Sequence, residues 1–147
     1  MIGAIIGDIA GSRFEFENYR AKDFELFTDA CFPTDDSIMT VAVGKAILDS
    51  EGDYSNLSSR AIQCMQELGR PYPHCGYGGS FYHWIYSDDP QPYHSFGNGA
   101  AMRVSPVGEY ARSEEEAKRL SRIVTAVSHD HPEGLKGAEC VAVCVYL

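Results

Sequence analysis

Hydrophobic and polar positions along this chain follow a helical period, and no stretch shows the two-residue alternation of a half-buried strand. From Ile38 the apolar residues run through Met39, Val41, Ala42, Val43, Ala46, Ile47 and Leu48, dense enough for a buried helix. Thr34 stands at its N-cap position, and Asp35 and Asp36 fall in the first turn, where carboxylates suit the positive end of the helix dipole. Gly52 is the expected C-cap. Ser55 or Asn56 then caps a second helix carrying Leu57, Ala61, Ile62, Met65 and Leu68, ended by Gly69 and Pro71. A glycine loop over residues 75–80 precedes a short helix over residues 81–86, and Pro90 and Pro92 mark a loop. Ser113 and Glu116 form a capping box for a helix bearing Ala117, Leu120, Ile123, Val124 and Val127. A last helix starts at Glu133, carries Leu135, Ala138, Val141, Ala142 and Val145, and reaches Leu147 without a stop signal.

The opening residues 1–11 read as a helix with Gly3, Gly7 and Gly11 on one face, open to close approach by another helix or a ligand. They do not form the G-x-G-x-x-G of a dinucleotide fold. The whole pattern predicts one compact, all-α domain over residues 1–147 with long functional loops.

Composition narrows the partners. The hydrophobic content of 44% and charged content of 22% are those of a globular protein. A net charge of -9 argues against a nucleic-acid polymer or an anionic membrane surface, while leaving room for a small anion held by local donors. Five cysteines, with no CxxC among them, read as reduced thiols of a cytoplasmic protein. The apolar start is broken by Asp8 and lacks a basic segment, so no signal peptide is expected, and no apolar run is long enough to span a membrane.

The chemistry concentrates in a few stretches. Pro33-Thr34-Asp35-Asp36-Ser37 reads as a capped helix start and equally as a hard-cation site, since hydroxyl and carboxylate oxygens are ligands for Mg²⁺ or Mn²⁺. Glu15, between Phe14 and Phe16, is either a surface acid beside anchoring rings or an acid held toward a site by buried flanks. In Gly97-Asn98-Gly99 the asparagine makes a tight turn, or lets backbone approach a ligand that its amide bonds. Arg103 serves an internal carboxylate in preference to a phosphate. His129 and His131 do not share a helix face and Pro132 holds His131 extended, so they are no zinc pair. Instead His129 is a helix C-terminal cap or a ring offered to a ligand.

Four of these stretches, taken in order, resemble the ADP-ribosylglycohydrolase family, of the type that reactivates dinitrogenase reductase. They are Gly7-Asp8-Ile9-Ala10-Gly11-Ser12-Arg13-Phe14-Glu15, Thr34-Asp35-Asp36-Ser37, Gly97-Asn98-Gly99-Ala100-Ala101-Met102-Arg103 and Ser128-His129-Asp130-His131-Pro132. The loop at residues 77–80 looks like that family's ligand loop. The resemblance implies a compact orthogonal helix bundle and a metal-dependent hydrolase of ADP-ribosyl N- or O-glycosidic linkages. It implies two Mg²⁺ or Mn²⁺ ions, with Thr34, Asp35 and Asp36 as metal ligands and Glu15, Asp35 and Asp36 as catalytic groups. Gly78, Asn98, Gly99 and His129 are implied in the ADP-ribose pocket. The family's Thr after the paired Asp is Ser37 here, and its downstream Asp-x-Asp-Thr or Ser motif has no counterpart after Asp130. The chain is therefore expected to be the N-terminal portion of such a fold, interrupted within its last helix and lacking the second metal site's ligands. A catalytically silent ADP-ribose-binding relative is the alternative. The apolar residues near Leu147 are expected to be covered by self-association or by a second chain.

Overall fold

A computed structural model describes residues 1–17 and 19–147. Among these residues all regular structure is helical: α1 (Ile2–Gly11), α2 (Asp35–Leu48), α3 (Leu57–Gly69), α4 (Gly79–Tyr86), α5 (Ser105–Tyr110), α6 (Glu114–Ala126) and α7 (Pro132–Tyr146), with short 3₁₀ turns at Ser12–Phe14, Tyr54–Asn56 and Asn98–Ala100. None of the described helices is long and apolar enough to cross a membrane.

The centre is α2. Met39, Ala42, Val43 and Ala46 are fully buried, as its near-continuous apolar run requires. It packs against α3, α1 and α5, while α6 pairs with α7 and α5 lies on α7. Each large side chain so buried contributes roughly 1.5–3 kcal/mol of hydrophobic stabilisation. Trp84 joins the halves, its indole N–H donating to the Val127 carbonyl at 3.0 Å.

Caps follow the side-chain chemistry, with informative exceptions. Thr34 accepts from the Asp36 N–H at 3.3 Å, and Ser113 accepts from the Glu116 N–H at 3.1 Å. Glu116 reaches back one residue further than a capping box requires, accepting from the Arg112 N–H at 2.8 Å. Neither Ser55 nor Asn56 supplies a side-chain cap for α3; the preceding 3₁₀ turn is capped by Asp53, which accepts from the Ser55 N–H. Gly52 is not the C-cap of α2, which closes at Asp49; its φ of +88° serves the turn beyond. His131 caps the N-terminus of α7, its Nδ1 accepting from the Glu133 N–H at 3.1 Å.

Helix α5 is absent from the apolar pattern because Pro106 and Gly108 lie within it. Tertiary packing makes it: residues 105–108 are buried against α7. Gly108 is needed there, since a Cβ would stand 2.4 Å from the Ala142 carbonyl oxygen and 2.7 Å from Val145 Cβ.

Candidate functional site

Asp8 is the one acidic residue of α1, and it ties that helix to the start of α2. One carboxylate oxygen accepts from the backbone N–H groups of Thr34 and Ser37, at 2.9 and 3.1 Å, and from the Ser37 hydroxyl. The other accepts from the Thr34 hydroxyl. Two of the orphan N–H groups around a helix start are thereby satisfied by an anion, the arrangement favoured at the positive end of a helix. Thr34 Oγ1 donates to Asp8 and accepts from Asp36, which leaves it one lone pair.

The glycine loop lies against Asp35. The Asp35 N–H donates to the Cys75 carbonyl at 3.0 Å. Gly76 has φ +116°, a glycine conformation, and a Cβ there would be 2.9 Å from Asp35 Oδ1. Tyr77 pins the loop by donating to the Gly69 carbonyl at 3.2 Å. Gly78 is the N-cap of α4, which begins at Gly79, two residues earlier than the sequence suggests.

Across the cleft, the turn of Gly97, Asn98 and Gly99 is held by the Asn98 carbonyl, which accepts from the Ala101 and Met102 N–H groups at 2.9 and 3.1 Å. That leaves the exposed Asn98 side chain to face the cleft. His129 follows α6 and is buried, its ring edge-on to Tyr93 at 5.4 Å and to Phe81 at 6.2 Å. Its Nε2 is so close to the turn that a Cβ on Gly99 would be 3.1 Å away.

All of Glu15, Thr34, Asp35, Asp36, Gly78, Asn98, Gly99 and His129 line one cleft of about 850 Å³. Glu15 reaches it by a different route from the one its sequence neighbours suggest. Phe16 is 91% exposed and Glu15 itself is exposed, so buried flanks do not hold it. Phe14 alone is anchored, stacking on Tyr19 at 4.9 Å.

Charge is concentrated at one end of the cleft. Burial, then the Asp36 charge, with Glu15 and Asp8 adding to it, pushes the Asp35 carboxyl up to about 6. Asp36 is raised by burial, then by Asp8 and Glu15. No cation among the described residues pulls either one down. Unneutralised carboxylates beside a hydroxyl with a free lone pair are a hard, all-oxygen donor set, and this fits Mg²⁺ or Mn²⁺.

Arg103 corrects one expectation. It is fully buried, yet no carboxylate pairs with it among the described residues. Its Nη2 donates to Ser128 Oγ at 2.8 Å, with longer contacts to the carbonyls of Val124 and Thr125, and its Nε and Nη1 have no partner. Burial lowers its pKa to about 10. The roles of Asp8 and Gly76 at this site were not evident from the sequence. The signs of the first were an acid breaking the apolar run of residues 1–11 and its place in the Gly7–Glu15 stretch.

A family model described as ADP-ribosylglycohydrolase matches residues 1–147, the whole chain.

Proposed function

The chain belongs to the ADP-ribosylglycohydrolase family, and from that membership we propose that the cleft binds an ADP-ribosyl group and hydrolyses its N- or O-glycosidic bond with a divalent cation. One observation carries the reading: Glu15, Asp35 and Asp36 share a cleft with the glycine loop, the Asn98 turn and His129. Thr34, Asp35 and Asp36 would hold Mg²⁺ or Mn²⁺. Bound there, the ion would supply charge neutralisation and a lowered pKa for water.

The chain's own residues do the rest. Cleavage at the anomeric carbon passes through an oxocarbenium-like state, so carboxylates near the sugar steady the developing positive charge. Glu15, exposed on the cleft wall, takes the proton of the attacking water as general base. Asn98 and the neighbouring backbone orient the ligand, and Gly78 brings the N-terminal end of α4 toward its anionic part.

A silent ADP-ribose binder is the second reading, and one feature favours it. Among the described residues the cleft holds four acids, and Asp8 is already committed to hydrogen bonds within the fold. That leaves too few carboxylates for two cations. Release of ADP-ribose from an ADP-ribosylated substrate, assayed with and without Mg²⁺, separates the readings. The hydrolase reading expects Mg²⁺-dependent release that Asp36→Ala lowers at least a hundredfold. Tight ADP-ribose binding with no release supports the silent one.

Apolar surface points to a further contact. Val145, 38% exposed, lines a groove with Gly3, Ala4 and Val141 between α1 and α7. Such a patch favours a self-associating chain or a second polypeptide covering that groove. Light scattering is expected to show the isolated chain above monomer mass, with Ala4→Glu, an exposed residue of the groove, shifting it toward monomer. A monomer at every concentration would refute the association.

A further inference from the structure

Beneath the cleft floor, Arg103, Ser128 and His129 form a hydrogen-bonded chain. Arg103 Nη2 donates to Ser128 Oγ at 2.8 Å, and Ser128 Oγ lies 2.9 Å from His129 Nδ1. Arginine only donates, so Ser128 Oγ is an acceptor in the first bond. Its own proton then needs a destination, because Ser128 is fully buried. The nearby Thr125 carbonyl already receives the N–H groups of Ser128 and His129, at 3.2 and 2.9 Å, and a 3.5 Å contact from Arg103. The Val124 carbonyl takes a 3.4 Å contact from Arg103 and no hydrogen bond from Ser128 Oγ, so among the described residues the acceptor is Nδ1.

Were Nδ1 protonated instead, Ser128 Oγ would accept twice and leave its hydroxyl proton unpaired in a buried site. Resting on the reading of the cleft as an ADP-ribosyl site, we infer that Arg103 and Ser128 are positioning residues that fix His129 as the Nε2–H tautomer and present that N–H as a donor beside the Gly97–Gly99 turn. The ring has little freedom to do otherwise. Phe81 and Tyr93 flank it, and a Cβ on Gly99 would crowd Nε2 at 3.1 Å.

The Arg103 charge adds a second constraint. Burial first, and the guanidinium second, lower the His129 pKa to about 4, so the ring is neutral at physiological pH. A neutral ring with its proton on Nε2 selects a ligand atom that accepts, such as a phosphate, hydroxyl or ring-nitrogen lone pair, and rejects a donor at the same place. The neighbouring Asp130 carboxylate acts in the opposite sense, and burial with the Arg103 charge outweighs it.

The test is a long-range ¹H–¹⁵N spectrum of histidine-labelled protein at neutral pH, with and without ADP-ribose, for wild type, Ser128→Ala and Ser128→Thr. Wild type is expected to show an unprotonated Nδ1 and a protonated Nε2 for His129, with the Nε2 proton shifting when ADP-ribose is added. Ser128→Ala should give mixed tautomers and weaken ADP-ribose binding by roughly three- to tenfold, the scale of one hydrogen bond. Ser128→Thr should restore both. A protonated Nδ1 in ligand-free wild type overturns the inference whatever the cleft binds. An unchanged tautomer and affinity in Ser128→Ala overturn the role of Ser128. The expected tautomer with no response to ADP-ribose supports the relay and overturns the reading of the cleft instead.

Discussion

Replacing Asp8 by alanine is expected to lower stability by about 2–4 kcal/mol and to abolish cation binding at the neighbouring acids. The carboxylate accepts from two backbone N–H groups and two hydroxyls, and all four belong to Thr34 and Ser37. Thr34 and Ser37 are both buried, so water replaces these bonds poorly. The turn that carries Asp35 and Asp36 loses its tie to α1. For a chain of this length the loss corresponds to a fall of about 5–15 °C in melting temperature. Asp8→Asn keeps the size but offers acceptors on one atom only, and it should fall between wild type and alanine. Thermal unfolding with and without Mn²⁺ measures both effects. An Asp8→Ala protein as stable as wild type and as responsive to Mn²⁺ would show that Asp8 does not organise the site.

Asp35→Asn is expected to act in the opposite direction on the metal-free fold. The folded-state pKa of Asp35 is raised from 3.8 to about 6, so the folded chain holds this proton more tightly than the unfolded one. Ionisation therefore costs stability progressively from pH 4 to 6, and the full penalty persists above 6. Allowing for solvent screening of a partly buried group, the penalty is on the order of 1–2 kcal/mol. Above pH 7 the asparagine variant should unfold a few degrees later than wild type without cation, and should gain nothing from Mg²⁺. His129 works against Asp35 in the same window. Its pKa is lowered from 6.5 to about 4, so its contribution is complete above pH 6.5 and is lost as pH falls toward 4. In wild type the two slopes partly cancel. With Asp35 removed, stability should decline more steeply on acidification between pH 6.5 and 4. A variant no more stable than wild type at pH 7.5, or one still stabilised by Mg²⁺, would contradict this account of Asp35.

Much of this was legible along the chain, for physical reasons that differ by element. Helix α2 announces itself through Thr34 and a nearly unbroken apolar run, and α6 through Ser113 and a clean apolar stripe. The residues that the family resemblance singled out lie far apart along the chain, and the fold brings them to one cleft. Helix α5 was not legible, because Pro106 and Gly108 oppose a helix locally and only packing on α7 overrides them. The partners of Asp8 and Arg103 were also hidden. An acid in an apolar helix signals a buried obligation but not which donors meet it. A buried arginine suggests a carboxylate, yet Arg103 donates to the Ser128 hydroxyl, with longer contacts to the Val124 and Thr125 carbonyls. Phe16 misled in the other sense: an aromatic flank suggests burial, and this one faces solvent.

Thr34, Asp35 and Asp36 are proposed to hold a divalent cation in the cleft proposed for the ADP-ribosyl group. Titration of Mn²⁺ into ¹⁵N-labelled protein, followed by paramagnetic broadening of amide signals, tests it most directly. Asp35, Asp36 and Gly76 are expected to broaden first, at concentrations that leave the acidic first turn of α6, Glu114 to Glu116, sharp. Broadening that begins at Glu114 to Glu116, or spreads evenly over the acidic surface, would contradict it.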